Sequence, residues 1–203
     1  RDDVSDKMFK FRDTKETFVG GVPAILNRIS FSGELGYEIY VAPQFHLKLF
    51  EEIELHGKSF SLKLYGARAL MALRLEKNWG AWTLDFRPDF TAAESGLDIF
   101  INWNKDFIGK EASLIEKEQG VKKKLVTMTI DTKDIDVTND EAILKDNKCV
   151  GYITSGGYAH HVKRSMALGY VPEELSKHET TLDVEINGKL YPAHVTDRPL
   201  YDA

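Results

Sequence analysis

The spacing of apolar residues changes character along this chain. Gly20-Gly21-Val22-Pro23 is a turn signal, and Ala24 to Phe31 after it reads as a strand with Ile25, Ile29 and Phe31 at its apolar positions. Ser32-Gly33-Glu34-Leu35-Gly36 is a second turn. Tyr37 to Val41 then reads as a strand. Tyr37, Ile39 and Val41 point one way and Glu38 and Tyr40 the other, because strand side chains alternate with period two. The hairpin so formed carries a carboxylate and a phenol on one face. Pro43 opens a helix in which His46, Leu49, Phe50 and Ile53 share one stripe, and Gly57 ends it. Gly66 to Asn78, rich in Ala, Leu and Arg, predicts another helix. Trp79-Gly80-Ala81-Trp82 breaks it. Residues 83–104 read as irregular, with a strand over Leu97 to Trp103.

Residues 109–124 are charged and carry few apolar anchors, so they predict a short helix and then a linker, with a boundary near Gly120. Beyond it the pattern turns to short strands. Leu125 to Ile130, Cys149 to Thr154 and Met166 to Val171 are apolar runs, and Leu182 to Ile186 and Leu190 to Val195 flank Asn187-Gly188, a strong hairpin signal. Strands at this spacing suggest a small antiparallel barrel. The fold class expected is α+β, a helix-plus-sheet portion followed by an all-β cap.

Composition adds constraints. With 203 residues, 42% of them hydrophobic, the chain has enough apolar material for one large core or two small ones. A formal net charge of -5 weighs against broad binding of nucleic acid, which favours a basic face, but leaves room for a small anion held by one or two arginines. No apolar run approaches the roughly 20 residues that span a bilayer. The single cysteine, Cys149, excludes an internal disulfide and fits a reducing compartment, cytoplasmic or mitochondrial matrix. Its strand-like surroundings predict a buried, structural thiol. The start at Arg1, without Met, reads either as a trimmed or processed end or as the continuation of a larger protein lying upstream.

Several chemistries are missing. The chain has no Gly-x-x-x-x-Gly-Lys-Ser/Thr, Gly-x-Gly-x-x-Gly, His-Glu-x-x-His or Gly-x-Ser-x-Gly pattern. His160-His161 would point to opposite faces of a strand, so no metal site is expected. Ser155-Gly156-Gly157-Tyr158 reads as a turn between barrel strands. One constellation remains: Glu38 beside Tyr40 on a strand face, with Arg68 on the following helix. A carboxylate can make a two-point contact with adjacent N–H and amino donors on a flat heterocycle such as a pterin, and Phe31 or Tyr40 could pack on its faces.

Family blocks strengthen this reading. Gly20-Gly21-Val22-Pro23 with Arg28-Ile29-Ser30-Phe31-Ser32-Gly33-Glu34-Leu35-Gly36-Tyr37-Glu38-Ile39-Tyr40 resembles the signature of the glycine cleavage T-protein (aminomethyltransferase) family. Gly66-Ala67-Arg68-Ala69-Leu70, Gly96-Leu97, Phe107-Ile108-Gly109-Lys110, Gly151-Tyr152-Ile153-Thr154-Ser155-Gly156-Gly157 and Leu168-Gly169-Tyr170-Val171-Pro172 follow in the family's order, with Pro199-Leu200-Tyr201 at the end. Within the family, the wording is nearest to the C-terminal folate module of sarcosine and dimethylglycine dehydrogenase-like flavoproteins. The resemblance implies a folate-binding α/β portion over residues 1–112, a linker over 113–124 and an antiparallel barrel over 125–203.

It also implies a function. In such flavoproteins an FAD domain oxidises an N-methyl amine to an iminium, whose carbon passes to tetrahydrofolate to give 5,10-methylenetetrahydrofolate. The FAD domain would lie upstream of Arg1, as would the family's catalytic aspartate, so this chain alone is expected to be inactive. The pterin-reading glutamate matches Glu38, with Phe31, Ile39 and Tyr40 around it. The folate arginine matches Arg68, and Tyr201 is a further folate candidate. A family tyrosine contact falls near Ile99, which departs from the pattern. A stand-alone T-protein, a non-catalytic folate-binding or assembly domain and a folate-dependent demethylase of sulfonium substrates are the alternatives. The assembly-type relatives carry Lys-Gly-Cys-Tyr-x-Gly-Gln, which this chain lacks.

Overall fold

The structure is a computed structural model that describes residues 2–197 and 199–201. The chain divides into two compact units between Leu70 and Met71. Among the described residues no helix is long and apolar enough to cross a membrane.

The first unit is built on a three-stranded antiparallel sheet in the order β1-β2-β3. Strand β1 (Thr14–Val19) and β2 (Val22–Asn27) are joined by Gly20-Gly21 alone. Both glycines have positive φ, +59° and +76°, as a type I′ hairpin turn requires. Val22 and Pro23, expected in the turn, therefore belong to β2. A proline so placed is tolerated because β3 (Glu38–Tyr40) pairs only with Ile25 to Asn27, so no third strand asks for a hydrogen bond at Pro23. Helix α1 (His46–Gly57) approaches the hairpin turn closely, since a Cβ on Gly20 would lie 2.7 Å from the Cβ of Glu52. Strand β2 ends at Asn27, not Phe31, and residues 28–37 form a loop. The N-terminal segment pins this loop. The Tyr37 hydroxyl donates to the Val4 carbonyl at 2.7 Å, Arg28 donates to that hydroxyl at 3.0 Å and pairs with Asp6, and Phe9 stacks on Tyr37.

The second unit begins within helix α2 (Ala67–Glu76) and includes α3 (Lys110–Gln119). The short helix expected before a boundary near Gly120 is α3, so residues 113–119, placed in a linker by the family resemblance, are helical. Gly120 ends the helix with φ +82°. The expected strand over Leu97 to Trp103 is a 3-10 turn at Asp98–Phe100 and irregular chain. Six strands then close an antiparallel barrel in the order β4-β7-β6-β5-β8-β9: β4 (Lys123–Ile130), β5 (Ala142–Lys145), β6 (Lys148–Ala159), β7 (Arg164–Pro172), β8 (Thr181–Ile186) and β9 (Lys189–Thr196). Its core includes Met128, Ile143, Ile153, Val171, Val184 and Val195. Asn187 and Gly188 turn β8 into β9 with φ +50° and +75°, as the dipeptide predicts.

Two expectations for the barrel are corrected. Ser155 to Tyr158 lie inside β6, where a bulge between Ile153 and Ser155 lengthens the strand, and do not form a turn. Cys149 is exposed, because it sits one residue into β6 beside the Asp146-Asn147 turn.

Candidate functional site

The open face of the three-stranded sheet carries the predicted constellation. Register places Glu16, Ile25 and Tyr40 in one row across the strands, Asn27 and Glu38 in the next, and Phe18 beside Pro23 at the turn end. The opposite face holds Val22, Ala24 and Leu26, all buried. Phe18 is 72% exposed and Tyr40 55%, so the open face is aromatic, apolar and uncovered. A groove of about 780 Å³ runs along it, lined by Phe18, Pro23, Ile25 and Tyr40, with Glu16 and Asp2 supplying charge. That volume lies within the range of small-molecule sites.

Glu38 and Tyr40 act as a pair. Their i, i+2 spacing on β3 sets both side chains on the open face, and the Tyr40 hydroxyl donates to Glu38 Oε2 at 2.7 Å. That bond to a carboxylate raises the Tyr40 pKa above the usual phenol value. Among the described residues no cation pairs with Glu38, so its negative charge is available. Ile39 points to the other face of the sheet and is half-buried. Phe31 is half-buried in the loop before β3. Arg68 is exposed in the first turn of α2, and among the described residues no carboxylate pairs with it. Glu38 and Tyr40 are therefore brought together as the strand pattern predicts, whereas among the described residues neither Phe31 nor Arg68 bonds to that pair.

Tyr201 belongs to the second unit. Its ring stacks on His161 with centroids 4.2 Å apart, Lys77 Nζ lies 5.2 Å from the ring centre, and its N–H donates to the Glu76 carbonyl at 3.3 Å. The buried Glu76 carboxylate meets His161 Nδ1 at 2.7 Å and accepts the His161 backbone N–H at 2.6 Å. His160, its neighbour in sequence, packs edge-on against Tyr158 instead. Among the described residues no group of three His, Cys, Asp or Glu side chains is arranged to hold a metal ion.

Pattern reading does not reach a buried polar network in the same unit. Asp85 is fully buried and accepts from Arg74 Nη1 at 2.6 Å, the Ala81 N–H at 2.7 Å, the Ser155 hydroxyl at 2.7 Å and the Thr154 hydroxyl. Arg74 is equally buried, and its Nε and Nη2 have no partner. Burial lowers its pKa, and the Asp85 charge opposes that shift. The Tyr170 hydroxyl donates to the Asp85 carbonyl at 3.0 Å and lies 2.8 Å from the Ser95 hydroxyl. Burial pushes the Tyr170 phenol up to about 12. A second groove, about 410 Å³, is lined by Trp103, Ser113, Glu116, Lys117 and Lys124, with Lys117 Nζ 4.7 Å from the Trp103 ring centre.

Comparison with known proteins places these features in context. Residues 1–105 match the GCVT N-terminal domain, and residues 123–202 match the glycine cleavage T-protein C-terminal barrel domain. The chain is 40% identical over 201 residues to the mitochondrial dimethylglycine dehydrogenase of Homo sapiens, covering 98% of this chain and 23% of that protein. It is 35% identical over 184 residues to an aminomethyltransferase of Desulfitobacterium hafniense, covering 90% of this chain and 50% of that one. The chain thus spans about a quarter to a half of the length of these curated relatives. The crystal structure of the glycine cleavage system aminomethyltransferase T from Bartonella henselae superposes with a TM-score of 0.79 at 24% identity, over 88% of this chain and 50% of that one, and so shares the fold.

Proposed function

The chain belongs to the glycine cleavage T-protein family, and from that premise we propose that it is a tetrahydrofolate-binding, aminomethyltransferase-type module that takes a one-carbon unit from an amine-derived donor. The observation that carries the reading is the Glu38 carboxylate, held by Tyr40 on an open aromatic face and paired with no cation among the described residues. Such a group suits the adjacent N–H and amino donors of a pterin edge, and the apolar Phe18 and Ile25 nearby suit a flat ring. Tetrahydrofolate, when bound, supplies the amine nitrogens that accept the carbon. The protein's own contribution is to bind and orient it: Glu38 reads the donor edge, Phe31 and Tyr40 frame it, Ile39 continues the strand between Glu38 and Tyr40 with its side chain on the far face, and Arg68, which pairs with no carboxylate among the described residues, offers its guanidinium to an anionic group of the ligand.

The whole-protein setting is part of the same proposal. Greater identity to dimethylglycine dehydrogenase than to the aminomethyltransferases favours an iminium donor made by an FAD domain in the same polypeptide, in the mitochondrial matrix or cytoplasm. The division of labour is a folate-binding portion over residues 1–112 and a barrel over 125–203. Calorimetry on the full-length protein with tetrahydrofolate tests the site. Glu38→Gln is expected to weaken binding more than tenfold, about 1.4 kcal/mol or more, and Arg68→Ala to raise the dissociation constant. Unchanged affinity in Glu38→Gln would refute the assignment of Glu38.

A further inference from the structure

The ring of Tyr40 stands on the folate face, yet its hydroxyl is committed to Glu38. We propose that Tyr40 is a positioning residue: its O–H fixes the Glu38 carboxylate before the ligand arrives, and its ring is not the platform on which the ligand stacks. The proposal rests on the folate reading of Glu38 and deepens it. Strand β3 is only three residues long, and pairing of Ile25 with Tyr40 and of Asn27 with Glu38 sets its register. The Tyr40 hydroxyl reaches Glu38 Oε2 at 2.7 Å. No other described residue makes a hydrogen bond to that carboxylate. The cross-strand neighbour Asn27 does not hold it either: among the described residues no bond joins its side-chain amide to Glu38, and its Oδ1, itself an acceptor, is buried with no hydrogen-bond partner.

A carboxylate offers about four lone-pair positions. The Tyr40 bond uses one of them, leaving Oε1 and a second position on Oε2 for a two-point contact with N–H and amino donors. An exposed glutamate samples many rotamers, and ordering such a side chain on binding weakens affinity. Tyr40 does that ordering in advance. It therefore favours a ligand edge bearing two donors most, because a two-point contact demands the more closely fixed carboxylate, and it adds less for a ligand that lacks one of them.

The test is calorimetry on the full-length protein with tetrahydrofolate and with its 2-desamino analogue, using Tyr40→Phe, Tyr40→Leu, Glu38→Gln and the Tyr40→Phe/Glu38→Gln double variant. Tyr40→Phe should weaken tetrahydrofolate about threefold to tenfold, the order expected for one side chain ordered on binding. It should weaken the analogue less than it weakens tetrahydrofolate and add no further loss in the Glu38→Gln background. Tyr40→Leu should behave like Tyr40→Phe. Wild-type affinity in Tyr40→Phe alongside a loss in Glu38→Gln would overturn the positioning role and leave the folate reading standing. A loss confined to Tyr40→Leu would assign the ring to stacking, and equal losses for both ligands would assign Tyr40 to the sheet alone. Wild-type affinity in Glu38→Gln would remove both readings together.

Discussion

Replacing Asp85 by alanine should destabilise the second unit more than replacing its partner Arg74 by methionine. Asp85 accepts four bonds at its carboxylate while fully buried, so every position it offers is used. Its loss leaves a buried guanidinium unpaired, which costs about 3–5 kcal/mol. The Ala81 N–H and the Thr154 and Ser155 hydroxyls lose their acceptor as well, at about 1 kcal/mol or more each if nothing replaces it. These costs overlap, and a loss of about 4 kcal/mol is a reasonable floor. Arg74 stands differently. Burial lowers its pKa, and two of its nitrogens lack partners, so part of its own desolvation is uncompensated. Arg74→Met leaves the Asp85 charge without its counter-ion but still solvated by three neutral donors, and its cost should be about 2–3 kcal/mol. Urea denaturation followed by tryptophan emission measures both, because Trp79 and Trp82 flank this segment. The double variant Arg74→Met/Asp85→Ala should be less destabilised than the sum of its parts, by about 2 kcal/mol. Equal costs for the two single variants, or strict additivity, would refute a charge pair whose stabilisation is carried by the acid.

Two further predictions concern the barrel. The native Tyr170 pKa is raised to about 12 from 10, so with rising pH the unfolded state loses this proton first, and stability should fall between about pH 10 and 12 by about 3 kcal/mol; stability curves of wild type minus Tyr170→Phe should show that slope, and a flat difference would contradict it. Gly151→Ala should prevent native barrel closure, because a Cβ there would run into the Tyr170 carbonyl oxygen, which backbone pairing of β6 and β7 holds in place; a variant melting within a few degrees of wild type would show that the strands can part cheaply.

Pattern alone reaches the elements in which local and tertiary demands agree. Strand β3 is legible because Glu38 and Tyr40 are polar at alternate positions around Ile39, and the same alternation delivers the Glu38–Tyr40 bond. The β8–β9 hairpin is legible because few dipeptides other than Asn-Gly adopt two positive φ values so readily. Strand β1 is not, since its inward positions Lys15 and Thr17 are polar and leave no apolar stripe. Leu97 to Trp103 misleads in the opposite sense: the run is mostly apolar, but Ile99 is 77% exposed and among the described residues no strand pairs with it to complete a ladder. Asp85 is invisible in sequence because its acceptors are matched by Thr154 and Ser155, some 70 residues away. An aspartate in an irregular segment reads as solvated until the barrel supplies those donors. Tyr201 illustrates the same limit, for nothing near it in sequence announces His161 as its stacking partner.

Free strand edges are distributed unequally in this chain, and that asymmetry bears on its colloidal behaviour. In the closed barrel every strand has a partner on both sides, so it has no edge strand. Among the described residues the small sheet has two edge strands, β1 and β3, and its open face carries a patch containing Phe18, Ile25 and Tyr40. The β3 border is three residues long, too short to recruit much. The β1 border is twice that length, and its guards are charges: Lys15 and Glu16 within the strand, and Asp2 bonded to Thr17 and 3.7 Å from Lys15. Association through this sheet should therefore hang on the charges of Asp2, Lys15 and Glu16, and salt that screens them should matter more than heat that softens the barrel.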